Sequence, residues 1–336
     1  MAKQTINGKA FEYALLLEFF ERLKIVTEVS ITENEPYQTA KKCFDSFKEN
    51  QQETFRITAS TAINFLIDIE PRLSNGIDET DILVLEIVGD QAGQTGDVRD
   101  VLTIRALQKW QIGISAKNNH KAVKHSRLSQ RINFGEKWLG VSCSDNYFQE
   151  IKPIFDMLTD LRAKDKSTKW TSIENMHQKV YIPILDAFRK ELLRLDKENP
   201  NIVAENLVQY LIGNEDFYKV IKGKKKVEIQ AYNLHGTLNL PFEKIKPKAK
   251  IGKLKLPSRL IEIVYQENST TTLLVALNEG WQISFRIHNA SSRVEPSLKF
   301  DINLVSALDR ADKVSHLGRM KVSIANQLLK IDSFKV

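Results

Sequence analysis

Two short runs with alternating side chains, DVLTIRA at residues 100–106 and WQIGISAK at residues 110–117, constrain the fold of this chain most. Alternation of apolar and polar residues with a period of two predicts β-strands. Only a few residues separate the runs, so we expect them to pair as an antiparallel hairpin. Asp100 begins the first strand, and Lys117 follows Ser115 by two residues on the second. The hairpin therefore brings an acid and a lysine onto neighbouring strands.

Helix-like and strand-like runs flank this pair. GKAFEYALLLEFFERLK, at residues 8–24, has apolar residues at helical spacing, as does the stretch from about 36 to 70. DILVLEIVG, at 81–89, is an apolar run of strand length. After the hairpin, NHKAVKHSRLSQRI at 119–132 again has helical spacing. The order of helix, three strands and helix predicts a compact α/β core.

The character of the sequence changes further along the chain. Residues 148–212 are mostly of helical pattern, and from residue 216 onward short β-type runs broken by turns dominate. We therefore predict three successive regions: a core at 1–145, a helical region at 146–215 and a β-rich region at 216–336.

Composition limits the class of protein. The 336 residues are 42% apolar and 27% charged, as in ordinary globular proteins. The two cysteines form no disulfide framework and have no zinc-ligand spacing. No apolar run reaches the roughly 18 residues of a membrane span, and charges interrupt the N-terminal run as they would not in a signal peptide. We expect a cytoplasmic protein, whose net charge of +7 is compatible with a polyanionic partner.

The pairing of Asp100 with Lys117 indicates metal-dependent hydrolysis of a phosphodiester. A carboxylate can bind a divalent cation, and the cation neutralises the scissile phosphate. A neighbouring lysine can hold the attacking water and lower the cost of its deprotonation. The alternative is that both side chains lie at strand ends only because strand ends are solvated.

Longer segments carry a family resemblance. The order of elements resembles the PD-(D/E)xK nuclease core, and the polar run SAKNNHKAVKHSRLSQ, which begins at Ser115, resembles type II restriction endonucleases. Three later segments, YLIGNEDFYKVI, AYNLHGTLN and GWQISFRIHNASSRVEPSLKFD, are similar to those of HaeIII-type restriction endonucleases, which cut the palindrome GGCC. The resemblance covers most of the chain and keeps the order of its segments.

This resemblance implies a fold, a cofactor and partners. The fold is α/β (α+β): a PD-(D/E)xK restriction-endonuclease-like core, with a mixed sheet flanked by helices, and a β-rich C-terminal DNA-recognition region. The cofactor is Mg²⁺, and the substrate is double-stranded DNA. A cognate DNA methyltransferase encoded nearby is a functional partner, and a homodimer is an open alternative to a monomer.

One position departs from the family pattern, which has Asp or Glu where this chain has Ser115. Serine is a poor ligand for Mg²⁺, so the resemblance implies a second carboxylate from elsewhere. Glu12 on the first helix is the first candidate, Glu86 the second and Glu136 the third. Asp97 is a rival for the role of the strand acid, or a second metal ligand. Each of these acids has the alternative of being a solvated surface group.

Two polar segments supply donors suited to phosphates and bases. The first set is His120, Lys124, His125, Ser126, Arg127, Ser129 and Gln130. The second set is Arg286, His288, Asn289, Arg293, Glu295 and Lys299. Arginine binds guanine O6 and N7, which favours Arg286 and Arg293 for a G+C target, and Glu295 can accept from cytosine N4. A solvated hairpin loop is the alternative for the second set.

Two further features concern binding and packing. The lysine-rich stretch at 244–255 predicts contacts with phosphates that carry no sequence information, with a solvated loop as the alternative. Trp281 and Phe285 are predicted to be core residues rather than platforms for base stacking.

The leading functional hypothesis is a magnesium-dependent type II restriction endonuclease. The alternative is a catalytically inactive, or non-restriction, sequence-specific DNA-binding protein of the same fold, and a repair nuclease is a third possibility. Ser115 keeps the alternative open.

Overall fold

The computed structural model describes residues 3–89, 97–118, 124–223 and 227–305, together with the backbone of three strands between 314 and 333. Its helices are α1 (Lys3–Leu23), α2 (Glu35–Asp45), α3 (Glu49–Ile69), α4 (Pro71–Ser74), α5 (Asp145–Lys164), α6 (Ile182–Glu198) and α7 (Val203–Ile212). Its strands are β1 (Val29–Thr32), β2 (Leu83–Ile87), β3 (Val101–Arg105), β4 (Trp110–Asn118), β5 (Lys124–Leu128), β6 (Phe217–Lys222), β7 (Val227–Tyr232), β8 (Leu260–Tyr265), β9 (Thr272–Leu277), β10 (Gln282–Asn289), β11 (Leu298–Leu304), β12 (Val314–Leu317), β13 (Met320–Ala325) and β14 (Leu328–Ser333).

The chain divides into two compact units, each made of segments that are distant in sequence. The first unit is Met1–Lys121, Gly213–Lys255 and Leu308–Val336, and the second is Ala122–Ile212 and Leu256–Ala307. The predicted regions 1–145, 146–215 and 216–336 instead follow chain order. The difference arises because strands pair across long sequence separations, which local composition does not reveal.

A nine-stranded sheet forms the centre of the first unit, in the order β1-β2-β3-β4-β6-β7-β14-β13-β12. β3 and β4 pair antiparallel, with Val101 opposite Ile114, so the predicted hairpin is confirmed. β6 runs parallel to β4, which makes the sheet mixed. The mixed α/β architecture is therefore as predicted, and the assignment to a PD-(D/E)xK core stays a prediction.

Alternation along β4 separates a core face from a polar face. Ile112 and Ile114 are fully buried and belong to the same apolar core as Phe11 and Leu15 of α1. Because successive strand residues point to opposite faces, Ser115 lies on the other face. The alternation visible in the sequence therefore determines which β4 side chains lie outside the apolar core and are available for catalysis.

Arg105 anchors the closed end of the hairpin. Its side chain is fully buried and donates hydrogen bonds to the carbonyl oxygens of Arg72, at 2.6 Å, and Leu73, at 2.9 Å. A buried guanidinium is tolerated only where its donors are satisfied. These bonds hold the hairpin against α4 and fix the position of both strands.

The second unit places helices against one face of a five-stranded antiparallel sheet, ordered β5-β11-β10-β9-β8. Phe285 of β10 and Phe300 of β11 are fully buried and contact Phe188 of α6, with ring centroids 5.3 Å and 5.0 Å apart respectively. Trp281 is also buried. The prediction that Trp281 and Phe285 are core residues is therefore confirmed.

The prediction of a helix over residues 119–132 is wrong for residues 124–132, the part that the structure describes. Residues 124–128 form β5, which pairs antiparallel with β11 so that His125 lies opposite Asp301. Ser126 and Leu128 are buried while His125 and Arg127 are exposed, a period of two. Pairing with a strand far along the chain overrode the local helical spacing, as tertiary context commonly does.

Among the helices that the structure describes, none has the length and apolar character needed to cross a membrane.

Candidate functional site

The open end of the β3–β4 hairpin gathers the polar groups that the sequence predicts. Asp100, directly before β3, accepts hydrogen bonds from the backbone N–H of Ala116 at 2.6 Å and from the Ser115 hydroxyl at 3.4 Å. The Lys117 ammonium donates to the same carboxylate at 3.4 Å. All three contacts use Oδ2. In the described part of the chain, Oδ1 has no hydrogen-bond partner, so one carboxylate oxygen remains for a ligand.

Arg99 holds Asp100 in place at this end. Its guanidinium donates to Asp97 at 2.7 Å and lies 3.4 Å from the Glu215 carboxylate. The side chain passes directly over Gly113, where a Cβ atom would lie 2.0 Å from Arg99 Cδ. Only glycine permits this close approach. The contacts of Arg99 with Asp97, Glu215 and Gly113 therefore fix the residue directly before Asp100.

Glu12 of α1 is a second, buried carboxylate at this site. Its side chain accepts from Lys9 Nζ at 3.0 Å. Burial and the charge of Asp100 raise the pKa of Glu12 to about 7, against the opposing effects of Lys9 and Lys117. Two carboxylates that repel each other in a buried place form a site to which a cation is attracted.

Lys219 of β6 is a group that the sequence analysis missed. It lies opposite Ser115 in the parallel β4–β6 pair and is buried. Burial and the charge of Lys117 lower the pKa of Lys219 to about 8, with Glu228 of β7 acting in the opposite direction. The signal was present: FYKVIK places Lys219 between apolar residues in the middle of the strand, with a second lysine only at its end, and a lysine is almost never fully buried unless it is paired.

The other predicted metal ligands have different partners. Asp97 is tied to Arg99; burial raises its pKa, but the hydrogen bonds from Arg99 outweigh this and leave the pKa below its ordinary value. Glu86 accepts from Asn34 at 3.3 Å. Glu136 is exposed and lies in the second unit. Within the described ranges, no group of three or more His, Cys, Asp or Glu side chains is arranged to hold a metal ion.

The outer face of the five-stranded sheet gathers side chains from both predicted DNA-contacting segments. Strand register places His125 of β5, Asp301 of β11 and Arg286 of β10 in one row. His125 Nδ1 lies 2.7 Å and His288 Nε2 3.1 Å from Asp301 Oδ1, and Arg286 bonds to Oδ2. These bonds and charges outweigh the effect of burial and lower the pKa of Asp301 to about 2.

The next row along the same face adds Arg127 and Lys299. They lie opposite each other in the β5–β11 pair, and Lys299 lies opposite His288 on its other side. Arg127 Nη1 lies 3.9 Å from Glu295 and donates to Ser297 at 3.2 Å. We call these two rows, His125, Arg127, Arg286, His288, Lys299 and Asp301, the basic face.

The remaining predicted DNA contacts are more dispersed. Lys124 donates to the Tyr210 carbonyl at 2.8 Å, and burial lowers the pKa of Lys124. Asn289 bonds the carbonyl oxygen of Ser291. Arg293 is exposed, and Gln130 is partly exposed in the turn after β5. His120 lies outside the described residues.

The lysine-rich stretch lies in the first unit and turns its charges outward. Lys246, Lys248 and Lys250 are exposed, whereas Ile251 is buried. Lys248 Nζ bonds Asp68 at 2.6 Å. An exposed series of ammonium groups of this kind is suited to a phosphate backbone.

Comparison with known proteins gives two matches. A family model described as HaeIII restriction endonuclease matches residues 8–307. The chain is 41% identical to the type II restriction enzyme HaeIII of Haemophilus aegyptius over 306 residues, which is 90% of this chain and 94% of that protein. No solved structure matches the chain. The matched range includes both the hairpin and the basic face.

Proposed function

Because this chain belongs to the HaeIII restriction endonuclease family and is thus a site-specific deoxyribonuclease, we propose that it cuts double-stranded DNA at GGCC with Mg²⁺ as its cofactor. The observation that carries the proposal is the contact of Asp100 with Lys117, 3.4 Å apart at the open end of the β3–β4 hairpin. An acid and a lysine in contact beside a second, buried acid are suited to hydrolysis of a phosphodiester.

Asp100 and Glu12 would hold the cation. The fit rests on the donor set: one oxygen of Asp100 has no partner among the described residues, and the pKa of Glu12 is raised to about 7 by burial and by Asp100. Mg²⁺ commonly takes only one or two protein carboxylates and completes its shell with water and substrate phosphate. When bound, it would neutralise charge that develops on the scissile phosphate.

Lys117 orients the attacking water. Its ammonium group lies at the end of β4 with 29% of the side chain exposed, so it can reach both Asp100 and a water molecule. In the reaction the water oxygen bonds to phosphorus as one phosphorus–oxygen ester bond breaks; the water gives its proton to the solvent, and the leaving oxygen takes a proton from the solvent. Donation from Lys117 to that water lowers the cost of the proton loss. Ser115 fixes Asp100 through its hydroxyl group and is not a ligand.

The basic face reads the target. Its arginine, lysine and histidine side chains are donors, and guanine presents paired acceptors in the major groove. GGCC offers guanines on both strands. Lys246, Lys248 and Lys250 add contacts to phosphates that do not depend on sequence.

Two partners follow from this activity. An enzyme that cuts GGCC requires that the host's own sites be protected, which we assign to a companion DNA methyltransferase. A palindromic site has twofold symmetry that a homodimer would match. Sedimentation of the protein with and without a GGCC duplex tests for the dimer.

The test is incubation of the purified protein with a plasmid of known sequence in Mg²⁺, with a parallel reaction in EDTA. We expect discrete fragments whose ends map to GGCC, and no fragments in EDTA or from DNA methylated at GGCC. Ser115, which stands where the family pattern has an acid, favours as a second candidate a member of this family that binds its site without cutting it. That candidate predicts a retarded GGCC duplex and an intact plasmid, and random nicking would point to a repair nuclease.

A further inference from the structure

One acid lies in the middle of the basic face. Asp301 is on β11, between β5 and β10, and three of the other five side chains of the face contact it: His125, His288 and Arg286. A carboxylate at this place weakens attraction to DNA, because each negative charge repels phosphate. A surface built only for affinity would carry no such group.

Stability accounts for the acid only in part, because the Asp301 side chain is 16% exposed whereas two of its partners lie largely in solvent. The side chain of Arg286 is 58% exposed and that of His125 is 47% exposed. Ion pairs between exposed groups contribute little to folding, because water and salt screen them. The cluster also restricts the orientation of the three side chains that contact Asp301.

Asp301 restrains all three of its partners. One Nη atom of Arg286 bonds to Oδ2, which leaves the other guanidinium donors directed away from the carboxylate. His288 is held at both ring nitrogens, because Nε2 faces Asp301 at 3.1 Å and Nδ1 faces the Asn289 carbonyl at 2.8 Å. A guanidinium fixed in this way loses less side-chain entropy when it forms paired hydrogen bonds to a base.

From this geometry we infer that Asp301 is a positioning residue for sequence recognition: with His288 held beside it, Asp301 orients Arg286 toward base edges and so gains discrimination of the cognate site at the expense of general attraction to DNA. This inference rests on the proposed function of the basic face. It adds a residue that touches no DNA base itself and acts through its neighbours.

The test is the Asp301→Asn variant, which keeps the shape of the side chain and removes its charge. Affinity for a GGCC duplex and for a duplex with one substituted base pair is measured in calcium at several salt concentrations. We expect the ratio of the two affinities to fall by about tenfold, because unrestrained arginine loses much of the discrimination of a paired contact. Affinity for the substituted duplex should rise by about two- to fivefold, since one repulsive charge is gone.

Glu262→Gln is the matched control. Glu262 is exposed on β8, and strand register places it on the same face of the same sheet as Arg286. It removes the same charge without touching the cluster, so the affinity ratio should stay unchanged. Asp301→Glu, which keeps the charge, should recover part of the ratio.

Three results overturn the inference. The first is an unchanged ratio in Asp301→Asn with both affinities at their parental values. The second is an equal loss of affinity for every duplex, which would mean that Asp301 supports only the fold. The third is an equal fall of the ratio in Glu262→Gln. If the parent protein itself fails to distinguish the two duplexes, the proposed function of the basic face is wrong.

Discussion

The charged groups at the open end of the β3–β4 hairpin are largely buried, whereas three of the six on the basic face, His125, Arg127 and Arg286, are exposed. At the hairpin, Glu12 and Lys219 are almost inaccessible, and burial is the first cause of both pKa shifts. On the basic face, Arg286 and His125 are about half exposed.

Burial and exposure suit different tasks. A buried charge interacts strongly with its neighbours and has a pKa that differs from its ordinary value, which is useful for chemistry. Exposed charges act on a ligand by position and number. Substitutions at the hairpin should therefore change the cleavage rate, and substitutions on the basic face should change affinity and discrimination.

The largest difference in cleavage rate is expected between the alanine variants of Asp100 and Asp97. Asp100→Ala should lower the cleavage rate by roughly 10²- to 10⁴-fold, because it removes the group that orients Lys117 and holds the cation. It should also abolish the tightening of DNA binding by divalent metal. Asp97→Ala should lower the cleavage rate less, since Asp97 acts through Arg99. A plasmid assay with matched enzyme concentrations measures both, and the reverse ranking would move the metal ligand to Asp97.

Glu12→Gln tests the cost of burying a second acid. The unfolded chain releases the Glu12 proton near the ordinary pKa of 4.5 and the folded protein at about 7. The folded state thus binds more protons in this window, and the stabilising contribution that is present below pH 4.5 disappears as pH rises through about 7. A shift of this size corresponds to roughly 3 kcal/mol.

Glutamine resembles the protonated acid at every pH. In EDTA at pH 8 the Glu12→Gln variant should therefore have a free energy of unfolding up to roughly 3 kcal/mol higher than the parent, with the difference fading toward pH 4.5. Urea unfolding at the two pH values measures it. The same variant should fail to cleave DNA. A variant that is less stable at pH 8 and still cuts would remove Glu12 from the site.

Arg286 and Arg293 test the recognition region. Replacement of Arg286 by alanine should weaken binding to the GGCC duplex by roughly tenfold to a hundredfold, and binding to unrelated DNA much less. Arg293 is exposed outside the basic face and should follow the same pattern if it also reads guanine. Titrations in calcium at fixed salt measure both. An equal loss for all duplexes would assign these arginines to the phosphate backbone.

The smallest change in specificity is expected from the lysine-rich stretch. Neutralising Lys246, Lys248 and Lys250 together should weaken binding to all sequences alike and reduce the salt dependence of binding by up to about 3 units, roughly one per phosphate contact. Binding at several salt concentrations gives this slope. A loss confined to the GGCC duplex would mean that the stretch takes part in recognition.

The hairpin could be predicted because its information is local. Alternation from Asp100 to Lys117 specifies strand, face and pairing within 18 residues, and the structure has the expected contact. Glu12 is one of several acids that the sequence offers for the second carboxylate. Only the packing of α1 distinguishes it from the others. Lys219 was missed because β6 joins β4 across nearly a hundred residues that form most of the second unit's helices.

The basic face shows the limit of local reasoning more clearly. His125 and Arg127 were expected on a helix in the same region as the hairpin, and they lie instead on β5 beside a strand from the C-terminal part. Their residue types suggest DNA contact, which stays a prediction, but they do not indicate which residues would be their neighbours. Asp301 could not be selected from the sequence, because its role depends on Arg286, His125 and His288, which two other strands bring into contact with it.

Lys117→Ala tests the central claim most directly, with Lys109→Ala, in the turn at the far end of the same hairpin, as the control for loss of a lysine. Single-turnover cleavage of a GGCC duplex in Mg²⁺ is compared with affinity for that duplex in calcium. We expect Lys117→Ala to lose cleavage by roughly 10²-fold or more while its affinity stays within about threefold of the parent, and Lys109→Ala to change neither. Cleavage by Lys117→Ala at near the parental rate would contradict the assignment of the reaction to this hairpin.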